Sequence, residues 1–216
     1  MIAADGEILY PHVKRLIEPT AWTGDPFTEI IMGGNVDLSP LQIRANLQAA
    51  LIGGEVHVIT IGQRPEDIVG VAIWFPPGSS AFSRRAFYLR IEEQRAAGWN
   101  QFLESIPESL RKWWIEYFSP AMTRLSADTL GPGYSHDAWH LHIFGVMKSH
   151  HRKGYGKALL RLAEDQAKET HSPIVLETTT DVDVQIYKRL GFKVCGETNI
   201  ESAQGIARIR LMFKEN

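Results

Sequence analysis

Apolar positions along the chain fall into short blocks of two periods, and the blocks are cut apart by glycine and proline. An apolar run broken by polar residues from Glu7 to Ile17 predicts a first strand. Residues Asp25 to Gly33 predict a short helix closed by Gly33-Gly34. Ser39-Pro40 then opens a clearer helix. Ser39 suits the cap, Pro40 the first helical position, and Gln42 completes a capping box. Ile43, Leu47 and Leu51 recur every fourth residue and give that helix one apolar face, and Gly53-Gly54 stops it. Val56 to Ile61 and Ile68 to Phe75 predict two strands, joined into a hairpin by a turn holding Gly62, Pro65 and Asp67.

Pro76-Pro77-Gly78 breaks the pattern, and up to about Asp137 the chain is helical in character and rich in aromatics. These are Phe82, Phe87, Tyr88, Trp99, Phe102, Trp113, Trp114, Tyr117 and Phe118. Two readings stand for them: packing of helices onto a sheet, or the lining of an apolar substrate pocket. The second half alternates more regularly. Trp139 to Val146 predicts a strand, and Tyr155 to Thr170 a helix with Leu159, Leu162, Ala163 and Gln166 along one side. Ile174 to Thr178 is a strand, Asp181 to Leu190 a helix, and Phe192 to Thr198 with Ile206 to Phe213 a closing strand pair. Elements in this order indicate a mixed α/β sheet.

Composition narrows the function. At 216 residues the chain suits one domain with a large insertion, and it needs no disulfide or metal to hold a core. A net charge of −2 offers no basic excess for nucleic acid, so a phosphate site has to be local. Met1 to Gly6 show no secretory signal, and no apolar run approaches the roughly 20 residues of a membrane span. The single cysteine, Cys195, suits a reducing cytoplasmic setting and reads as an apolar filler in a strand.

The strongest local signal runs from Val146 through His150-His151-Arg152-Lys153-Gly154-Tyr155-Gly156-Lys157 to Leu160. A strand ends, a short basic loop with glycines follows, and an amphipathic helix begins. The unpaired N–H groups of a first helical turn and the helix dipole make an anion site there. Glycine lets the backbone approach a phosphate, and Arg152, Lys153 and Lys157 add charge. The loop lacks the third glycine of a dinucleotide fingerprint and the Gly-Lys-Ser/Thr of a P-loop.

His151-Arg152-Lys153-Gly154-Tyr155-Gly156 resembles the cofactor loop of the GNAT acetyltransferases, Arg/Gln-x-x-Gly-x-Gly/Ala, with His151 in the slot usually held by Arg or Gln. Downstream, Ile186-Tyr187-Lys188-Arg189-Leu190-Gly191-Phe192 resembles that family's Leu-Tyr-x-x-Leu-Gly-Phe. Asp181 and Asp183 stand where the family often has asparagine. The resemblance implies a GNAT-type α/β fold: a mixed, mostly antiparallel sheet flanked by helices, in one domain over residues 1–216. It also implies a helical insertion, residues 76–137, between the third and fourth strands. It implies acetyl-CoA as co-substrate, its pyrophosphate held by backbone amides of the loop from His151 to Lys157. The pantetheine arm would pair with backbone around Phe144, Gly145 and Val146, where one amide would also stabilise an oxyanion. Tyr187 would protonate the departing thiolate.

His140-Leu141-His142 lies on the strand before the loop, and strand alternation places both imidazoles on one face. An ammonium is no nucleophile, and an imidazole is suited to removing its proton at neutral pH. The spacing from this pair to Gly154 resembles arylalkylamine N-acetyltransferases, which implies a small-molecule amine as partner. Glu177, on the neighbouring strand, is a rival base. His136, His140 and His142 as zinc ligands lack further Cys or His spacing. His150 and His151 read either as donors beside phosphates or as solvent-exposed. Two other activities stay open: acetylation of a protein or peptide, and acyl-CoA binding without turnover. The amine itself and the oligomeric state are not in the sequence.

Overall fold

A computed structural model describes residues 6–21, 26–78 and 99–215; Phe82, Phe87 and Tyr88 lie outside them. The chain opens with helices α1 (Gly6–Ala21), α2 (Pro26–Ile31) and α3 (Ser39–Gly53), followed by strands β1 (Glu55–Thr60) and β2 (Ile68–Phe75). Helices α4 (Trp99–Ser105), α5 (Glu108–Lys112) and α6 (Ser119–Leu130) come next, with π-helical turns over Trp113–Phe118 joining the last two. Then come β3 (Trp139–Val146), α7 (Tyr155–Glu169), β4 (Ile174–Thr178), α8 (Asp181–Arg189), β5 (Lys193–Ser202) and β6 (Gly205–Lys214).

The strands form one sheet in the order β1-β2-β3-β4-β6-β5, antiparallel throughout except for β3 against β4. β2 is buried along its whole length, as its unbroken Ile-Val-Gly-Val-Ala-Ile-Trp-Phe run requires. Val71, Ile73 and Phe75 face a core shared with α1, α2, α3 and the α4–α6 layer. Ala72 and Trp74 face a second core with Leu159, Leu160, Ala163 and Ala167 of α7 and Val184 of α8. The sheet therefore lies between two helical layers, the architecture read for the second half.

Four local readings change. Glu7 to Ile17 is helical, not a strand: Leu9, Val13, Leu16 and Ile17 are buried at helical spacing, and tertiary bonds hold the helix. Tyr10 donates to the Pro40 carbonyl, and Arg15 to those of Glu66 and Ile68. Among the described residues the helices from Trp99 to Leu130 thus lie between the second and third strands, not the third and fourth. Ser39 does not cap α3, because a 3₁₀ turn over Val36–Leu38 runs directly into it. The cap sits upstream, where Asn35 accepts from the Asp37 N–H. Along α7 the buried stripe is Leu159, Leu160, Ala163 and Ala167, while Leu162 is exposed.

The described aromatics of the middle stretch pack. Trp99, Phe102, Trp114 and Phe118 are buried and meet edge to face, with centroids 4.9–6.1 Å apart. Pro120 has no N–H to continue the α-helical ladder, and the π-helical turns fall directly before it.

Candidate active site

β3 is eight residues long, yet it pairs with β4 over only Trp139↔Ile174, His140↔Val175 and Leu141↔Leu176. Beyond Leu141 the two strands part while β3 stays paired with β2 as far as Val146. The opening is a cleft of about 610 Å³. Phe144, Gly145 and Val146 form one wall, the loop His150–Arg152 and the start of α7 at Gly154–Lys157 close one end, and Thr179, Thr180, Asp183 and Tyr187 form the opposite wall.

The loop geometry explains its glycines. Gly154 precedes the first turn of α7 with φ +83°, and a side chain there would project into open space. Arg152 is also left-handed, at φ +63°. Two such residues in one short loop bend the backbone sharply just before the first turn of α7, whose N–H groups lack intrahelical partners and suit an anion. Gly156 has a packing reason instead: a Cβ would lie 3.2 Å from the Phe144 ring, so glycine lets α7 sit close on β3. His151 Nε2–H donates to the Val146 carbonyl at 2.8 Å and stitches the loop back onto the strand. Arg152 and Lys157 line the cleft as expected, joined by Arg189 of α8, while Lys153 is exposed and outside the wall. His150 lines it too, its ring stacked on Tyr155 at 6.2 Å.

The far wall was only partly legible. Tyr187 stands between Phe144 and Phe192, with centroids 6.0 and 5.8 Å away. Burial, with the Asp183 charge added, raises its pKa, so the phenol keeps its proton. Thr180 caps α8: its hydroxyl accepts from Asp183 N–H at 3.1 Å and donates to that carboxylate at 2.6 Å. The sequence carries this signal as Thr-x-x-Asp before an apolar stretch. Arg210, on β6, donates to the Thr179 carbonyl at 2.8 Å and pairs with Asp181, holding this wall from the side. No local pattern announces that contact.

Trp139 and Leu141 pack on the α7 side, so alternation turns His140 to the other face of the sheet. The β2–β3 register then shifts, Ile73 facing Ile143 and Trp74 facing Leu141, which makes His142 the extra residue of a bulge. The His142 ring meets Phe75 of the opposite core at 5.7 Å and His140 at 5.8 Å. Both imidazoles thus share one side, the second through a bulge. His140 Nε2 lies 2.6 Å from Glu177 Oε2, so the two rival bases are in contact. Burial alone would lower the His140 pKa, but the charge and hydrogen bond of Glu177 together outweigh it and raise it. Burial, helped by the charge of His140, pushes His142 down to about 3.

Cys195 is half-buried, and its thiol donates to the Leu211 carbonyl. Burial raises its pKa and keeps it a thiol, the filler expected. His136 meets Asp137 at 3.2 Å, and among the described residues no group of three or more His, Cys, Asp or Glu is placed to hold a metal. No helix among them is long and apolar enough to cross a membrane.

Residues 91–210, more than half of the chain, match the family model of the acetyltransferase (GNAT) domain. The chain belongs to the GNAT acetyltransferase family. This GNAT enzyme is an N-acetyltransferase, and its mostly antiparallel sheet is open between β3 and β4. No curated protein matches it. Among solved structures it resembles the mosquito arylalkylamine N-acetyltransferase-like 5b, at 18% identity and a TM-score of 0.59, over 98% of this chain and 95% of that one. It also resembles the Drosophila melanogaster polyamine N-acetyltransferase, which forms N-acetylagmatine, at 13% identity and a TM-score of 0.63, over 100% and 97%. A third is the Aedes aegypti arylalkylamine N-acetyltransferase 2, at 18% identity and a TM-score of 0.52, over 82% and 79%. At these identities the likeness is one of fold.

Proposed function

We propose that this enzyme moves an acetyl group from acetyl-CoA to the primary amine of a small molecule by direct attack, with no acetyl-enzyme. The observation that carries the reading is one continuous cleft that joins the glycine loop to Tyr187 along the open edge of β3. The residues fit the co-substrate. Left-handed Arg152 and Gly154 turn amides to the pyrophosphate, and Arg152, Lys157 and Arg189 offset its charge. His151 holds the loop, Lys153 adds charge from outside the wall, and Tyr155 and Gly156 begin the helix whose dipole faces the anion. Beyond Leu141 the backbone of Phe144, Gly145 and Val146 has no β4 partner, which suits the amides of a pantetheine arm.

Bound acetyl-CoA supplies an activated acetyl carbon and a good leaving group. Tyr187 donates a hydrogen bond toward the departing sulfur. Its raised pKa lies above the roughly 8.5 of a thiol, so stabilisation through the hydrogen bond is favoured over complete transfer. His140 or His142 accepts the amine proton. Residues 1–216 act as one domain, with residues 76–137 as an insertion that covers the amine side and sets specificity. A single half-buried thiol suits the cytoplasm. The arylalkylamine and polyamine enzymes of similar fold favour a small amine over a protein as acceptor. A panel of arylalkylamines, polyamines and short peptides, each with acetyl-CoA and thiol release followed, tests this. Turnover of a small amine is expected. Turnover of peptides alone, or coenzyme A binding with no turnover, would sink it.

A further inference from the structure

The contact between His140 and Glu177 is not part of the motifs that identify the family, and it divides two histidines that look equivalent in the sequence. The argument rests on the amine-acetylating reading above. His140 is 8% exposed, and its Nε2 lies 2.6 Å from Glu177 Oε2. A carboxylate oxygen only accepts, so Nε2 carries a hydrogen and the basic lone pair of the neutral ring is on Nδ1. The sheet fixes this geometry. His140 faces Val175 and Leu141 faces Leu176 on the last two rungs before the strands part, and Glu177 is the next residue of β4. The pair therefore stands where β3 and β4 begin to part, on the face of the sheet turned away from α7, and neither residue lines the cleft. His142 occupies the bulge and meets the rings of Phe75 and His140.

We propose that Glu177 is a positioning residue that makes His140, and not His142, the proton acceptor for the incoming amine. In that step the nitrogen of a neutral amine bonds to the acetyl carbon with its lone pair. The carbon–sulfur bond breaks, and its electrons leave on sulfur. The surplus proton of the nitrogen passes to His140 Nδ1, and the imidazolium formed lies against Glu177. The thiolate, held by the Tyr187 hydrogen bond, takes a proton from solvent to leave as thiol, and His140 returns its own to solvent. An amide and a thiol are the only products. The raised pKa of His140 and the lowered one of His142 agree with this division. Among the described residues the pair is faced by His142 on its own strand and by Cys195 on β5, whose thiol feels the Glu177 charge. Tyr134, after α6, feels Cys195 in turn.

Ring-nitrogen NMR titration of the full chain without substrate tests the pairing, alongside the pH profile of kcat/KM on any amine that turns over. In the native enzyme His140 is expected to titrate above the ordinary imidazole value, and His142 to stay neutral at pH 5. In Glu177→Gln the His140 midpoint and the acid limb of kcat/KM should both move down by about one pH unit. The neutral-pH rate should fall about tenfold. Glu177→Asp keeps the charge and should return both toward native values. A purely structural ion pair would leave the pH profile in place. An unmoved His140 midpoint in Glu177→Gln with normal turnover overturns the proposal alone. A native His140 midpoint no higher than that of His142 also overturns it, and needs no variant to fold. An enzyme that acetylates no amine fails the functional reading and the proposal together.

Discussion

On the side of the sheet covered by α7 and α8, the candidate site is made largely of backbone: a loop with two left-handed residues, a helix start and an unpaired strand edge. On the opposite side it is made of titratable side chains: His140, His142 and Glu177 around the point where β3 and β4 part. A surface of the first kind suits an anion whatever the pH, because amides and a helix dipole do not titrate. The second is set by protonation, because burial and one carboxylate drive neighbouring imidazoles in opposite directions. Binding and chemistry are thereby separable, and substitutions on the two sides should fail in different ways.

The hardest test of that separation is the double variant His140→Gln/His142→Gln. It should lower kcat/KM about 10²–10⁴-fold and leave acetyl-CoA affinity, measured by calorimetry, within a few-fold of native. A folded double variant with normal rate and pH profile would move the chemistry elsewhere. Gly154→Val probes the other side. A left-handed φ costs a β-branched residue about 1–3 kcal/mol, and the added side chain enters the space that amides are meant to face. Affinity for acetyl-CoA should fall about 10²-fold, and unchanged binding would remove the loop from the site. Tyr187→Phe belongs to both sides. Loss of a hydrogen bond to a charged sulfur, about 1.5–3 kcal/mol, should lower kcat about tenfold to a hundredfold with little change in affinity. A variant with full kcat would leave Tyr187 only its packing between Phe144 and Phe192.

The smallest effect is one of stability. His142 has a folded value of about 3 against an ordinary 6.5, so between those values the unfolded chain binds more protons. Its contribution is complete above about pH 6.5 and is lost as pH falls toward 3, with a slope of at most about 1.4 kcal/mol per pH unit. His140 has the opposite sign, because its stabilising charge is lost as pH rises through its raised value. Urea midpoints of His142→Gln from pH 7 to pH 4 should therefore fall less steeply than those of the native chain. Parallel slopes would show that His142 is not held neutral by the fold.

The cleft side was the more legible of the two in the sequence. Glycine, helix starts and strand ends act over a few residues, so the loop at His151–Lys157, the strand Trp139–Val146 and the position of Tyr187 all follow from adjacent pattern. The histidine side depends on register. The bulge that turns His142 is a property of two strands together, and Glu177 reaches His140 across 37 residues of chain. Misreadings have the same origin. Glu7 to Ile17 carries few local helix signals, and its helicity comes from burial against β2 and α3. Ser39 has the right residue type for a cap, and only the preceding turn, which makes Leu38 helical, displaces it.

The aromatic layer has a further consequence at the rim of the molecule. β5 is the last strand of the sheet, ten residues long, and its outer edge would ordinarily offer unpaired amides and carbonyls to any passing chain. At Glu201 both groups are occupied: Trp113 Nε1–H donates to its carbonyl at 2.8 Å, and its N–H donates to the Tyr117 hydroxyl at 3.1 Å. Further along, Thr129 of α6 lies so close to Gly196 that any larger residue there would collide with it. Two half-buried rings at the margin of the aromatic layer thus seal a seam, and a chain without Trp113 and Tyr117 should betray their absence first by clumping with its own kind.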